Sequence, residues 1–189
     1  MATALRWTSA DLELLPDDGK RYEIIDGELH VSTQPSWEHQ LVGTWIVAIL
    51  REWSLRIGAG LPNIAPGVIL AEDNAVAPDV VWVSAERLPS VLAADGKLYG
   101  APDLAVEILS PGAKNEQGDR EAKLRAYSLY GVREYWIVNW QRREVQVYRR
   151  EHAALTLVGT LYSEDEIASP LLPGFSAKVE QFFAGIRRV

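Results

Sequence analysis

"APDLAVEILSPGAKNEQGDREAKLRAY", residues 101–127, carries three signals in succession. Residues 103–109 form a short apolar run, Ser110-Pro111-Gly112 a turn, and Asp119 to Tyr130 a helical pattern closed by Gly131. Glu107 stands between Val106 and Ile108 in the middle of the expected strand. A carboxylate there is a poor choice for holding a sheet together, because buried charge is costly unless it is paired or bound to a metal.

Upstream, "APDVVWVS" (77–84) repeats the pattern of Ala-Pro-Asp followed by a strand, here continuously apolar as if covered on both faces. Asp103 and Glu107 share a strand face, but four residues at about 3.3 Å each put them roughly 13 Å apart. That is too far for one ion, so Asp103 reads as a turn residue at the start of its strand. Asp79 is the better partner for Glu107, since neighbouring strands lie only about 4.8 Å apart. Two carboxylates converging across strands form a hard-oxygen site for Mg²⁺ or Mn²⁺. On the following helix, Asp119, Lys123 and Tyr127 recur at spacing four on one face. That places Lys123 within reach of the strand's end, although spacing alone favours a surface Asp119–Lys123 pair worth a few tenths of a kcal/mol.

The rest of the chain supplies the frame. Thr8 or Ser9 is expected to cap a short helix ending at Leu15 before the turn "PDDGK". "RYEIIDGELHVS" reads as two strands joined by Asp26-Gly27, a strong hairpin signal. Ser36 opens the longest helical pattern, Trp37 to Ile57, with Leu41, Trp45, Ala48 and Ile49 as its expected apolar face and Gly58 and Gly60 as its stop. "NIAPGVILAED" is expected as one strand, 85–100 as a polar connection, and "REYWIVNW" and "EVQVYRR" as a strand pair. A short strand around "ALTLVG", a loop carrying Pro170 and Pro173, and a tail packing through Val179, Phe182 and Phe183 complete the chain. This order implies an α+β or α/β domain with a mixed central sheet.

Composition narrows the chemistry. The 189 residues suit one domain with a substantial core. The absence of cysteine removes disulfides, thiolate chemistry and cysteine-ligated metals. With only His30, His39 and His152, a multi-histidine zinc site is not expected. No long apolar span or secretory leader is present, so the expected location is cytoplasmic and away from membranes. The net charge of -7 argues against a general nucleic-acid-coating protein. It is unevenly spread: residues 1–113 hold 7 Lys/Arg against 16 Asp/Glu, whereas 114–150 hold 9 against 5. An acidic body with one basic segment suits a metal site beside a phosphate contact, and equally a solvated helix and hairpin. Of the seven tryptophans, Trp45, Trp82 and Trp136 are expected in the core, whereas Trp7, Trp37, Trp53 and Trp140 are candidates for base stacking.

Asp79 in "APDVV", Glu107 in "VEILSPG", the "DREAKLRAY" helix and "GVREYWIV" together resemble the Uma-type restriction endonuclease family of the PD-(D/E)XK nuclease superfamily. The likeness extends to "YEIIDGEL", "PSWEHQ" and "LPGF", and so covers nearly the whole chain. It implies one nuclease-like domain over 1–189, with an N-terminal helix and hairpin (8–32), a core of about 36–150 and a C-terminal strand and tail (151–189). It further implies a restriction-endonuclease-like core in which helices flank the sheet. By the same resemblance, Asp79, Glu107 and the Ile108 carbonyl hold Mg²⁺ or Mn²⁺, and a lysine assists at the scissile phosphate of DNA. The superfamily's usual lysine position is Leu109 here, so the role passes to Lys123 on the helix. Asn139 departs from the family's aspartate after "YWIV", a change that bears on a turn. Glu23 matches an early acidic ligand position, with a solvent-facing hairpin residue as the equal alternative. Glu28 and His39 also match family positions, and a histidine in that place is more often a hydrogen-bonding or capping residue than a ligand. The implied activity is metal-dependent hydrolysis of DNA by a chain for which a homodimer is allowed. Two alternatives stay open: a nuclease-fold binding or assembly module with weak or lost activity, and a metal-dependent phosphoesterase acting on small substrates.

Overall fold

The structure, a computed structural model, describes the backbone of residues 6–110 and 116–187, with side chains throughout except at 116–119. After a 3-10 turn at Asp11–Leu14, strands β1 (Arg21–Ile25) and β2 (Glu28–Ser32) form the expected hairpin. Asp26 and Gly27 take φ of 52° and 76°, as a tight two-residue turn requires. Helix α1 (Trp37–Ile57) begins where the Ser36 hydroxyl accepts the His39 N–H and ends at left-handed Gly58. Strands β3 (Gly60–Ile64), β4 (Val68–Ala71), β5 (Asn74–Val76) and β6 (Val80–Ser84) follow, then a single helical turn α2 (Leu88–Val91), β7 (Leu98–Tyr99) and β8 (Leu104–Ile108). Helix α3 (Glu116–Tyr130) crosses to β9 (Glu134–Asn139), which continues into β10 (Glu144–Glu151), β11 (Ala154–Tyr162), β12 (Glu166–Ser169) and β13 (Leu172–Lys178).

The central sheet has six strands in the order β11-β10-β9-β8-β6-β3, and only β8 and β9 run parallel. A parallel neighbour needs a crossover, and α3 supplies it. Residues alternate across this sheet. Val80, Trp82, Leu104, Val106, Ile108, Trp136 and Val138 share a core with α1, β12, β13 and the 3-10 tail Val179–Phe183. Val81, Val83, Ala105, Tyr135 and Ile137 face a second core with Ala126 and Tyr127 of α3 and with Ile25, Val68 and Val76. Those last three residues belong to a five-stranded sheet, β2-β1-β5-β4-β7. The result is the expected α+β architecture with a mixed sheet between helices.

Several local readings change. Thr8 and Ser9 cap no α-helix; instead the Asp11 carboxylate accepts from the Thr8 N–H and hydroxyl, and the turn is 3-10. The single strand expected in "NIAPGVILAED" is two, because Ala65 adopts φ 44° ahead of Pro66 and breaks the extended path between β3 and β4. The Pro170–Pro173 segment is a hairpin rather than a loop, with β12 paired to β13. On α1 the deeply buried residues are His39, Val42, Ile46, Leu50 and Trp53, while Ala48 and Trp45 face outward and Leu41 and Ile49 flank the core. The helix is apolar around much of its girth, so periodicity alone does not select the face. Gly43 does: an added Cβ there would meet Ile108 Cδ1 at 3.4 Å and Ile64 Cδ1 at 3.5 Å. Trp53 and Trp140 are core residues, unavailable for stacking, whereas Trp37 is exposed. The turn expected at 110–112 lies partly outside the described residues. Among the described residues no helix is long and apolar enough to cross a membrane.

Candidate active site

Val80 pairs with Val106 across antiparallel β6 and β8. One step further, Asp79 stands opposite Glu107, on the face turned toward α3 and the hairpin. Both carboxylates line a cleft of about 450 Å³ whose other walls come from β1, β2, the start of α1 and α3. The facing positions inferred for Asp79 and Glu107 are therefore those of the structure.

Lys123 reaches the end of β8. Its Nζ lies 3.0 Å from each Glu107 oxygen and 3.0 Å from Glu23 Oε1. With its side chain 12% exposed, it is no surface residue, and its partners here are inward carboxylates; the Asp119 pairing that spacing favoured involves a side chain outside the described residues. Tyr127, one turn along α3, donates from its hydroxyl to Glu107 Oε1 at 2.7 Å. Glu23, buried on β1, also accepts the Ala77 N–H at 2.8 Å, so it faces the cleft rather than solvent.

Asp79 is held by a separate set. Arg21 donates to Oδ1 at 2.9 Å, the Ile108 N–H donates to Oδ2 at 2.8 Å, and His39 Nε2 lies 3.1 Å from Oδ2. The hydrogen-bonding role weighed for His39 is thus directed at Asp79, while its Nδ1 is buried with no partner. The sequence reading of the site missed Arg21, and it placed Tyr127 on the Lys123 face without giving it a role. The signals for them were Arg21 standing two residues before Glu23, hence on the same strand face, and Tyr127 standing four after Lys123.

The two central carboxylates are driven apart electrostatically. Burial works against the charge of Asp79, but the His39 hydrogen bond and charge, then Lys123 and Arg21, outweigh it and hold Asp79 at about 2. Burial pushes Glu107 up to about 7; Asp79 and Glu23 add to this, while Lys123 and the Tyr127 hydroxyl oppose it. Burial also opposes the charge of Lys123, yet Glu107, Glu23 and Asp79 raise it above the ordinary lysine range, so it stays an ammonium. The Tyr127 hydroxyl, pushed well up by burial and then by Glu107, stays a donor.

Among the described residues, no three His, Asp or Glu side chains are grouped as a ready metal site. The reason is visible in the pairing: Glu107 and Glu23 converge on Lys123, and Asp79 turns to Arg21 and His39. The donor chemistry nonetheless fits a hard divalent cation, with two facing carboxylates and the Ile108 backbone beside them. Glu28 lines the cleft but is exposed. Leu109, where the resemblance would place a lysine, also lines it. Asp103 does not join the site: it lies at the opposite end of β8, bound to Ser84 N–H, Arg87 and Arg133. Asn139 closes a turn by accepting the Arg142 N–H.

A family model, Uma2, described as "Putative restriction endonuclease", matches residues 9–180. Among solved structures, the chain is similar to that of "a putative nuclease belonging to DUF820 from Anabaena variabilis ATCC 29413". The two share 18% identity and a TM-score of 0.76 over 93% of this chain and 97% of that one. At that identity the likeness establishes the fold. No curated protein matches the chain.

Proposed function

The chain belongs to the Uma2 family described as "Putative restriction endonuclease", and on that premise we propose that it is a divalent-metal-dependent endonuclease hydrolysing DNA phosphodiester bonds. The observation that carries this reading is the ammonium of Lys123 at 3.0 Å from Glu107, in the cleft where Asp79 faces the same carboxylate. Asp79, Glu107 and the Ile108 carbonyl would hold Mg²⁺ or Mn²⁺. Such an ion supplies an activated water and offsets charge on the phosphate.

The remaining tasks fall to this chain's own groups. Lys123 brings a permanent positive charge to the oxygens of the scissile phosphate, worth most in a cleft whose other groups are already placed. Tyr127 fixes the orientation of Glu107, and Arg21 with His39 fixes that of Asp79. Glu23 holds Lys123 from the hairpin side. A chain retaining only the fold as a binding module would have little reason to keep two buried carboxylates around one lysine and a third facing them, since such a cluster costs stability unless it is used.

The test is Mg²⁺- or Mn²⁺-dependent nicking of plasmid and single-stranded DNA by wild type, Lys123→Ala and Asp79→Ala. Losing a preorganised charge is expected to lower cleavage by Lys123→Ala on the order of 10²-fold or more. Asp79→Ala is expected to lose cleavage together with metal binding. Equal cleavage by all three defeats the assignment. No cleavage by any, with metal and DNA still bound, establishes the binding module instead.

A further inference from the structure

An ammonium has three N–H donors, and Lys123 has three carboxylate oxygens at 3.0 Å: both of Glu107 and Oε1 of Glu23. Its two hydrogen bonds go to Glu107 and its charge is shared with Glu23, so the ammonium is turned to carboxylates rather than to a substrate phosphate. The same Glu107 oxygens are the ones a divalent ion would take. From these facts we propose that Lys123 is a displaceable internal cation: it occupies the carboxylates until a divalent ion replaces it, and only then is its charge delivered to a phosphate. This inference rests on the metal-dependent reading of the site above and adds the order of events within it.

The surroundings favour exchange over simple coexistence. Glu107 and Glu23 come from different sheets, β8 in one and β1 in the other. Lys123 is the cation that bridges them, and on its own helix it has a long unbranched stem able to swing while α3 stays in place. Asp79 is held independently, by Arg21, His39 and the Ile108 N–H. Half of the ligand set is therefore already fixed, and the other half is covered by a group that can leave. Oxygen atoms 3.0 Å from a nitrogen suit an ammonium, whereas Mg²⁺ draws oxygens to about 2.1 Å. Glu107 cannot satisfy both geometries with the same oxygen pair, so occupancy by one lowers occupancy by the other.

Removing any positive charge from the cleft would strengthen cation binding, so the experiment must separate competition from general charge. Arg120 supplies the control, because it lines the same cleft but, among the described residues, bonds Gln146 and not a carboxylate. Mn²⁺ affinity is measured by electron paramagnetic resonance for wild type, Lys123→Ala, Lys123→Met and Arg120→Ala, each checked for folding by circular dichroism. Lys123→Met keeps the stem if the alanine variant fails to fold. Both Lys123 variants are expected to bind Mn²⁺ at least about tenfold more tightly, a modest share of what a unit charge within 4 Å exerts at an effective dielectric near 20. Arg120→Ala is expected to gain under about threefold, because its partner among the described residues is the neutral Gln146 and not a carboxylate that the ion would take. Equal gains in the Lys123 and Arg120 variants, or no gain in either, overturn the proposal.

A second readout follows the lysine itself. In protein carrying ¹⁵N-labelled lysine, the buried ammonium of Lys123 is one of five lysine signals and is assigned by its loss in Lys123→Met. Saturating Mg²⁺ is expected to shift it or to broaden it away as its carboxylate partners are withdrawn. An unmoved signal at saturating Mg²⁺ overturns the exchange even if DNA is cleaved, and the nuclease reading then stands without it. A moved signal with no cleavage leaves the exchange in place and removes the nuclease reading.

Discussion

Asp103 and Glu107 bracket one five-residue strand, β8, and both are buried, yet their surroundings send them in opposite directions. Asp103 is wholly enclosed, and its carboxylate meets the Ser84 N–H at 2.9 Å, Arg87 at 2.9 Å and Arg133 at 3.3 Å. Burial alone would raise it, but these partners together hold it below its ordinary value. Glu107 shares a single ammonium with Glu23, faces Asp79, and is pushed up to about 7. One carboxylate has more cations than it needs, the other fewer. The first arrangement locks a strand to its neighbours; the second stores an unmet demand for positive charge, which is what a cation site requires.

The contrast is broken most directly at Asp103. Asp103→Asn is expected to cost about 3 kcal/mol in urea unfolding, the low end for a broken buried pair because both arginines reach solvent. Metal binding should be unchanged. If the variant instead loses metal affinity while keeping its stability, the two carboxylates have been assigned to the wrong classes.

Glu107→Gln should act the other way round. Without metal the change is expected to shift stability by less than about 1 kcal/mol, because relief of repulsion from Asp79 and Glu23 offsets the lost pairing with Lys123. This differs from a carboxylate compensated by metal alone, since Lys123 and Tyr127 already compensate it in part. With Mg²⁺ at 100 times its Kd, wild type is expected to gain roughly 2.7 kcal/mol and the Gln variant far less. Equal metal-induced gains in melting experiments would remove Glu107 from the ligand set.

The pH response separates the pair by sign. Glu107 is raised from an ordinary 4.5 to about 7. In metal-free protein its contribution is therefore fully present below 4.5 and is lost as pH rises toward 7, since over that window the folded state binds the extra proton. Asp103 is lowered from 3.8, so its contribution is present above that value and fades only as pH falls below it. Denaturant titrations in chelator should show wild type losing ground to Glu107→Gln between pH 4.5 and 7, and keeping its lead over Asp103→Asn across the same range. Parallel curves for the two variants would show that the environments of the two carboxylates are alike after all.

Much of this could be read beforehand, and the gaps have physical causes. The hairpin at Asp26-Gly27, the limits of α1 and the pairing of Asp79 with Glu107 rest on local chemistry: turn φ angles, a serine cap, and the pleat of two strands. The buried face of α1 does not, because Leu41, Val42, Ile46, Val47, Ile49 and Leu50 nearly surround the helix and a contact at Gly43 decides among them. Had Val42, Ile46, Leu50 and Trp53 been recognised as the face, His39 would have followed at one turn before it. Strands β5 and β7 have three and two residues, and β12 lies in a segment marked by proline. Elements that short are stabilised by neighbours distant in sequence, which leaves little local signal. Lys123 was ambiguous for the same reason: a surface partner four residues away and a buried partner across the fold leave one pattern in the chain.

The smallest expected effect sharpens the rule at a single joint. Among the described residues, two ion pairs tie α3 to the β1–β2 hairpin: Lys123 with Glu23, and Arg125 with Asp26 at 2.8 Å. Their distances are similar, but the side chains of the first pair are 12% and 8% exposed, those of the second 67% and 41%. In water the second pair gains little from Coulomb attraction, pays side-chain entropy to form, and is screened within about 8–10 Å at ordinary ionic strength. Arg125→Ala should therefore change unfolding free energy by less than about 0.5 kcal/mol, and any loss should vanish in roughly 1 M salt. Urea titrations at low and high salt measure it. A loss above about 1 kcal/mol that survives high salt would mean that exposure is not what separates these pairs. The hairpin would then be held over the cleft by its outer charges as firmly as by Lys123.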